Sequence, residues 1–201
     1  MINFFKKIYD SVIIRLRHPI IWTKWYLRGC PSPAPELIKR YTVKSFSQNK
    51  NIFIETGTHM GEMVEKMKNS FDKIFSIEIE PTFAENARQR FADQDHIKII
   101  CGDSGQKLTE IIENINSPCL FWLDGHYSGG TTGKGELETP IIKELLTIFR
   151  HPVKNHTILI DDARLFTGQN DYPTLDKLID FIKKESQYKV SVSRDIIFLK
   201  K

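Results

Sequence analysis

From Asn51 onward, short apolar runs alternate with stretches whose apolar residues recur at helical spacing. The runs NIFIE (51–55), KIFSIEI (73–79), HIKIIC (96–101), CLFWLD (119–124) and HTILID (156–161) are of strand length. They carry few polar positions, which is the pattern of strands covered on both faces. Helical segments are predicted at 60–69, 81–92, 106–115, 140–149 and 173–186, with Pro81 at the favoured first helical position. The chain closes with YKVSVS (188–193) and DIIFLK (195–200), joined so tightly that they must run antiparallel. Strands alternating with helices of about ten residues predict βαβ units. The expected fold is α/β: a Rossmann-like, mostly parallel sheet of seven strands, ending in an antiparallel hairpin.

The first fifty residues read differently. Residues 1–29 place Phe4, Phe5, Ile8, Val12, Ile13 and Leu16, then Ile20, Ile21, Trp22, Trp25 and Tyr26, at helical spacing, divided at Pro19. CPSPAP (30–35) is a proline-rich break, and 36–47 is a short lead-in helix. Two domains are therefore expected: a helical arm and linker over 1–50, and an α/β domain over 51–201. Charge supports the division. The 201 residues carry a net charge of +4, but residues 1–50 hold ten basic and two acidic side chains, a balance of +8. The remainder holds 19 basic and 23 acidic side chains, a balance of −4. A mildly acidic body with a basic arm argues against nucleic acid as a partner.

Other features narrow the setting. The stretch 11–27 is interrupted by Arg15, Arg17, His18 and Lys24, so it reads neither as a membrane span nor as a signal peptide. Three cysteines without CxxC spacing predict a reducing compartment and no structural zinc. The expected location is the cytoplasm, at most peripheral at the inner face of a membrane. For the arm, packing on the domain or on a second copy competes with contact at a membrane surface through residues 1–29.

In an open α/β sheet, ligands bind at the carboxyl ends of the strands. The first strand there runs into Glu55-Thr56-Gly57-Thr58-His59-Met60-Gly61, an E-x-G-x-x-x-G turn rather than the G-x-G-x-x-G of dinucleotide binding. An acid at that point would repel a pyrophosphate but suits a ligand bearing an ammonium group. Further acids end the second strand (Glu78) and follow the third (Asp103-Ser104). Each has a plainer reading: Glu78 as a solvated strand end, Asp103 as a helix cap. Together, these residues resemble those of the class I S-adenosylmethionine-dependent methyltransferases over roughly 51–200. The resemblance implies that Glu55, Gly57, Thr58, His59 and Gly61 surround the methionine part of the cofactor. It also implies that Glu78 takes the ribose hydroxyls and that Asp103 and Ser104 lie by the adenine. That family often has glycine where His59 stands.

The fourth strand ends in Asp124-Gly125-His126-Tyr127 and the fifth in Asp161-Asp162. Three carboxylates brought together on one sheet edge need a cation or a basic partner, and hard oxygen ligands suit Mg2+, Mn2+ or Ca2+. This arrangement resembles the divalent-metal-dependent O-methyltransferases of the catechol and macrocin type. That resemblance implies Asp124, Asp161 and Asp162 as metal ligands and an acceptor hydroxyl deprotonated with the metal's help. Asp124, His126 and Tyr127 are the candidate catalytic residues, His126 being preferred as base because its ordinary pKa lies near neutrality. The plainer alternatives are that Asp161 and Asp162 only shape a turn with Arg164 paired to one of them, and that Asp124 touches the cofactor alone. The glycine-rich segment 125–135 is not a phosphate-binding loop and reads as a lid, with Lys134, Glu136 and Glu138 as candidate acceptor contacts.

The expected activity is methyl transfer from S-adenosylmethionine to a hydroxyl of a sugar, a glycan or a natural product. The resemblance suggests surface-polysaccharide tailoring as a setting. A nucleotide-sugar oxidoreductase or epimerase would need G-x-G-x-x-G and a Tyr-x-x-x-Lys pair, and Tyr127 has Thr131 four residues on. A non-catalytic membrane-docking protein on the same fold is the other alternative, and a homo-oligomer is compatible with all of these.

Overall fold

A computed structural model describes residues 19–125 and 139–201. The first part of the arm, the lid and the residues His126, Tyr127, Lys134, Glu136 and Glu138 lie outside the described residues.

Seven strands form one sheet: β1 (Ile52–Thr56), β2 (Lys73–Glu78), β3 (Ile97–Cys101), β4 (Cys119–Leu123), β5 (Thr157–Ile160), β6 (Lys189–Ser193) and β7 (Ile196–Lys200). Their order is β3-β2-β1-β4-β5-β7-β6. The first five are parallel, and β7 runs antiparallel to both β5 and β6. The helices are α1 (described over 19–27), α2 (Glu36–Lys44), α3 (Glu62–Met67), α4 (Pro81–Arg90), α5 (Ser104–Ile112), α6 (Ile141–Arg150) and α7 (Leu175–Glu185). A 3-10 turn at Ala163–Leu165 follows β5.

The central strands are mainly apolar and buried along their whole length because both their faces are covered. All five residues of β1 and all five of β4 are buried. Alternation of side chains along a strand splits these runs between two cores. Ile54, Phe121, Leu123, Ile158 and Ile160 meet Leu108, Leu145, Ile148, Leu178 and Ile182 of α5, α6 and α7. Phe53, Leu120, Trp122, Leu159 and Ile196 face the other way, onto Val43 of α2 and onto Val64 and Met67 of α3. A side-chain relay closes the base of β4. The Cys119 N–H donates to His156 Nδ1, so His156 Nε2 carries the proton shared with His151 Nδ1, and His151 Nε2 reaches the Ile112 carbonyl.

The expected strands match within a residue or two, and two helices begin where caps place them. Asp103 accepts the Gly105 N–H at 2.7 Å, so α5 starts at Ser104 rather than at 106. Gly61, at φ 72°, is the N-cap of α3, which starts at Glu62 rather than at 60.

The segment before β1 belongs partly to the body. Trp25, Ala34 and Ile38 form a small apolar cluster, and Trp25 Nε1 donates to the Pro31 carbonyl at 2.9 Å. Val43 of α2 enters one of the main cores. On the opposite side of α1, Ile20, Tyr26 and Leu27 are exposed. Among the described residues no helix is long and apolar enough to cross a membrane.

β1 and β4 are neighbours although the chain leaves β1 for β2 and β3 before returning to β4. The strand order therefore reverses between them, and the crevice at their carboxyl ends is where such sheets bind ligands.

Candidate active site

The turn after β1 is held tight against the end of β4. Gly57 has φ +85°, and a Cβ there would lie 2.4 Å from the Asp124 carbonyl oxygen, so only glycine lets the two strand ends approach this closely. The Asp124 N–H donates to the Thr56 carbonyl at 3.0 Å. Gly125 is equally confined, its missing Cβ facing Thr56 Oγ1 at 3.0 Å and Ser104 Oγ at 3.2 Å. The ends of β1 and β4 and the start of α5 thus converge. His59 adopts the left-handed φ of 46° that a glycine would take without strain. Its ring meets Phe83 edge-on at 4.9 Å.

Glu78 is the hub of this crevice. It is buried at the end of β2, its Oε2 accepting the His59 N–H at 2.7 Å and its Oε1 accepting the Glu80 N–H at 2.9 Å. A carboxylate fixed by two backbone donors keeps lone pairs on both oxygens for two further hydroxyl donors. Asp103 caps α5, and Ser104 is buried behind it. The structure thus gives Asp103 the capping role.

Glu55 sits deeper than a ligand contact requires. It is 1% exposed, and its Oε2 accepts a 2.6 Å hydrogen bond from Ser76 Oγ, which lies 2.6 Å from Thr58 Oγ1. Its pKa is pushed up to about 8, mainly by burial, with Ser76 opposing, Glu78 adding to the rise and Arg40 opposing. A carboxyl protonated at neutrality and chained through Ser76 to Thr58 orders the turn from behind. Ser76 has no motif of its own. Its signal in the sequence is a lone hydroxyl between apolar neighbours in the middle of a strand.

The acids of β4 and β5 do come together, as their positions at neighbouring strand ends predict. Asp124, Asp161 and Asp162 line one cleft of about 410 Å3 with Glu36, Lys39, Arg164 and the 33–35 segment. The Asp124 carboxyl is held well above the usual range by burial, then by Asp161 and Asp162, with Lys39 opposing. Asp161 is pushed up to about 7 by burial first and Asp162 second, against Lys39.

The expected divalent cation meets a different partner here. Lys39 Nζ lies 2.7 Å from Asp161 Oδ2 and 2.7 Å from Asp162 Oδ1, and only 3% of Lys39 is exposed. Arg164 closes the other side, with Nη1 at 2.6 Å from Asp162 Oδ1 and Nη2 at 3.0 Å from Oδ2. The Asp162 N–H donates to Asp161 Oδ1 at 2.7 Å, with Asp162 in the left-handed conformation at φ 54°. Arg164 also pairs with Asp195, whose Oδ1 takes the Arg164 N–H at 2.9 Å. Among the described residues no group of three or more His, Cys, Asp or Glu side chains is arranged to hold a metal ion. The donor set as it stands does not fit a resident Mg2+, because an ammonium sits between the oxygens that would have to bind it. The turn-shaping alternative, with Arg164 paired to Asp162, is the geometry observed.

Lys39 was not among the candidate residues read from the sequence. Its signal lies in helical spacing: Lys39, Thr42 and Val43 share the buried face of α2, so a lysine stands on a face that should be apolar.

No family model matches the chain. It is 28% identical over 85 residues to a probable ribosomal RNA small subunit methyltransferase A from Methanococcoides burtonii, a stretch covering 38% of this chain and 32% of that protein. The match therefore spans about a third of that relative's length. Among solved structures, the chain is similar to the O-methyltransferase TomG of Streptomyces achromogenes in complex with SAM (TM-score 0.60, 13% identity, 84% of this chain and 81% of that one). It is similar to SAH-bound methyltransferase PaMTH1 of Podospora anserina (TM-score 0.59, 16% identity, 82% and 76%). A Staphylococcus aureus protein assigned as a caffeoyl-CoA O-methyltransferase aligns over 98% of this chain and 100% of its own, at TM-score 0.62 and 13% identity. The fold is that of the class I methyltransferases.

Proposed function

We propose that the protein is an S-adenosylmethionine-dependent methyltransferase acting on a hydroxyl of a sugar, glycan or other polyhydroxylated acceptor. The observation that carries this reading is Glu78. It is a buried carboxylate at the end of β2, next to the switch point of the sheet, locked by the His59 and Glu80 amides beside a turn whose glycine admits no side chain. Those groups match what an amino-acid-bearing nucleoside presents: two vicinal hydroxyls for the carboxylate, and a chain threaded along exposed backbone at the 57–61 turn.

When bound, S-adenosylmethionine supplies a methyl group on a sulfonium centre, open to in-line attack. The chain's own residues supply placement. Glu78 orients the ribose, Ser104 and the Asp103 cap border the adenine side, and the Glu55–Ser76–Thr58 chain fixes the turn. Holding acceptor and methyl in line is worth several orders of magnitude in rate by itself. Asp124 joins the two halves of the site. Its backbone abuts Gly57, and its carboxylate lines the neighbouring cleft, where it is placed to accept the acceptor's proton. His126 and Tyr127, which follow Asp124 in the sequence, are the further candidates for that base.

The cleft's chemistry supports a polyol acceptor. Its described lining carries Glu36, Asp124, Asp161 and Asp162 against Lys39 and Arg164, with Pro33, Ala34 and Pro35 as an apolar wall. Carboxyl oxygens set beside an ammonium and a guanidinium offer both acceptors and donors to the hydroxyls of a polyol. No step in this reading passes through a divalent metal.

Titration calorimetry with S-adenosylmethionine tests the cofactor. Saturable binding that weakens in Glu78→Ala is expected, and no binding by the intact protein would refute the reading. Transfer of labelled methyl in the presence of a chelator, across simple glycosides, catechols and RNA, tests the acceptor. Label on RNA alone would overturn the polyol assignment.

A further inference from the structure

A divalent cation at the ends of β4 and β5 needs carboxylate oxygens that are open to it. Here every oxygen of the β5 pair already carries a protein donor. Asp161 Oδ2 takes Lys39, and Asp161 Oδ1 takes the Asp162 N–H. Asp162 Oδ1 takes Lys39 and Arg164 Nη1, and Asp162 Oδ2 takes Arg164 Nη2. The two positive side chains match the two carboxylates in charge. Glu36, at 3.6 Å from Lys39 Nζ, and Asp195, on the far side of Arg164, complete the charged surroundings. Lys39 is not free to swing away. Its neighbour Ile38 is fully buried in the cluster with Trp25 and Ala34, and Val43, one turn on, is fully buried in the core. A divalent ion bridging the same oxygens at ~2.1–2.5 Å would occupy the place that the ammonium holds.

Resting on the methyltransferase reading above, we propose that Lys39 is a built-in counter-cation that takes the place expected for a divalent metal between Asp161 and Asp162, so that this site is organised without one. The ammonium holds Asp161 and Asp162 in place beside Asp124 and leaves no open coordination position for an acceptor. The acceptor hydroxyl is therefore bound by hydrogen bonds rather than by chelation, and a lone hydroxyl serves as well as a vicinal pair. The proposal also gives α2 a role: the helix preceding the sheet delivers a positioning residue of the active site.

The test is Mn2+ binding to the full chain, read by electron paramagnetic resonance and by the shift of the thermal midpoint, with S-adenosylmethionine titrated into the same samples. The native protein is expected to bind no Mn2+ below millimolar concentration. Lys39→Met removes the ammonium while keeping the side chain's length, and it is expected to bind Mn2+ at least tenfold more tightly and to be stabilised by it. Lys39→Arg restores a cation and is expected to behave as the native protein does. One Mn2+ per native chain at micromolar concentration, lost in Asp162→Asn, overturns the proposal. A folded Lys39→Met that gains no Mn2+ binding overturns it as well. If Lys39→Met does not fold, the native and Lys39→Arg titrations decide. Failure of the native protein to bind S-adenosylmethionine would remove the methyltransferase reading and leave the cation result standing by itself.

Discussion

Glu55→Gln isolates one buried carboxyl with little change of shape. Glu55 is 1% exposed, and its pKa rises from 4.5 to about 8, chiefly through burial. The folded-state value lies above the unfolded one, so the folded chain holds this proton more tightly. The resulting stability is fully present below about pH 4.5 and is lost as pH rises through about 8. At about 1.4 kcal/mol per pH unit between the two values, the whole effect is roughly 5 kcal/mol, of which about 4 kcal/mol falls between pH 5 and 9. Glutamine still accepts from Ser76 Oγ but does not titrate. Urea denaturation of the native and variant chains at a series of pH values measures the difference. The variant's stability relative to the native chain is expected to rise by about 4 kcal/mol from pH 5 to pH 9, equivalent to roughly 10 °C in melting temperature. A difference that stays flat within about 1 kcal/mol over that range would show that Glu55 is not the enclosed, protonated group described above.

Three further perturbations report on other parts of the site. Gly57→Ala forces a Cβ to within 2.4 Å of the Asp124 carbonyl, so the loss should exceed the ~1–2 kcal/mol of a left-handed alanine; Gly29→Ala, at φ +77° with nothing within 4 Å, should show that smaller cost alone in equilibrium unfolding. Glu78→Gln keeps the side chain's shape but leaves a single acceptor oxygen against the His59 and Glu80 amides, and calorimetry is expected to show S-adenosylmethionine affinity reduced by roughly tenfold or more, about 1.4 kcal/mol. Ile38→Ala opens a cavity in the Trp25–Ala34–Ile38 cluster, with an expected loss of about 2–5 kcal/mol and faster proteolysis ahead of β1; unchanged protection would mean that this cluster does not anchor α2.

Strand and helix identity were legible in the sequence because they depend on local periodicity. The runs that became β1 and β4 are mainly apolar and buried at every position for the reason the pattern gives: both faces are covered, by α5, α6 and α7 on one side and by α2 and α3 on the other. The tight junction of β6 and β7 left only an antiparallel pairing. The acids at the carboxyl ends of successive strands were legible too, since parallel strands bring all those ends to one edge.

What these acids meet was not legible, because partners are set by sheet order and by packing across long stretches of chain. Lys39 reaches Asp161 and Asp162 across 122 and 123 residues. Three converging carboxylates do require a positive charge, as the residue types imply, but those types cannot say whether it is a metal or a lysine. Glu55 shows the same limit. Its place in the turn reads as a ligand contact, while its depth and its bond to Ser76 make it a support. Local spacing thus fixed the sheet and the edge on which chemistry would gather. The tertiary structure alone decided the charge balance at that edge, because electrostatic partners are chosen by distance in space and not along the chain.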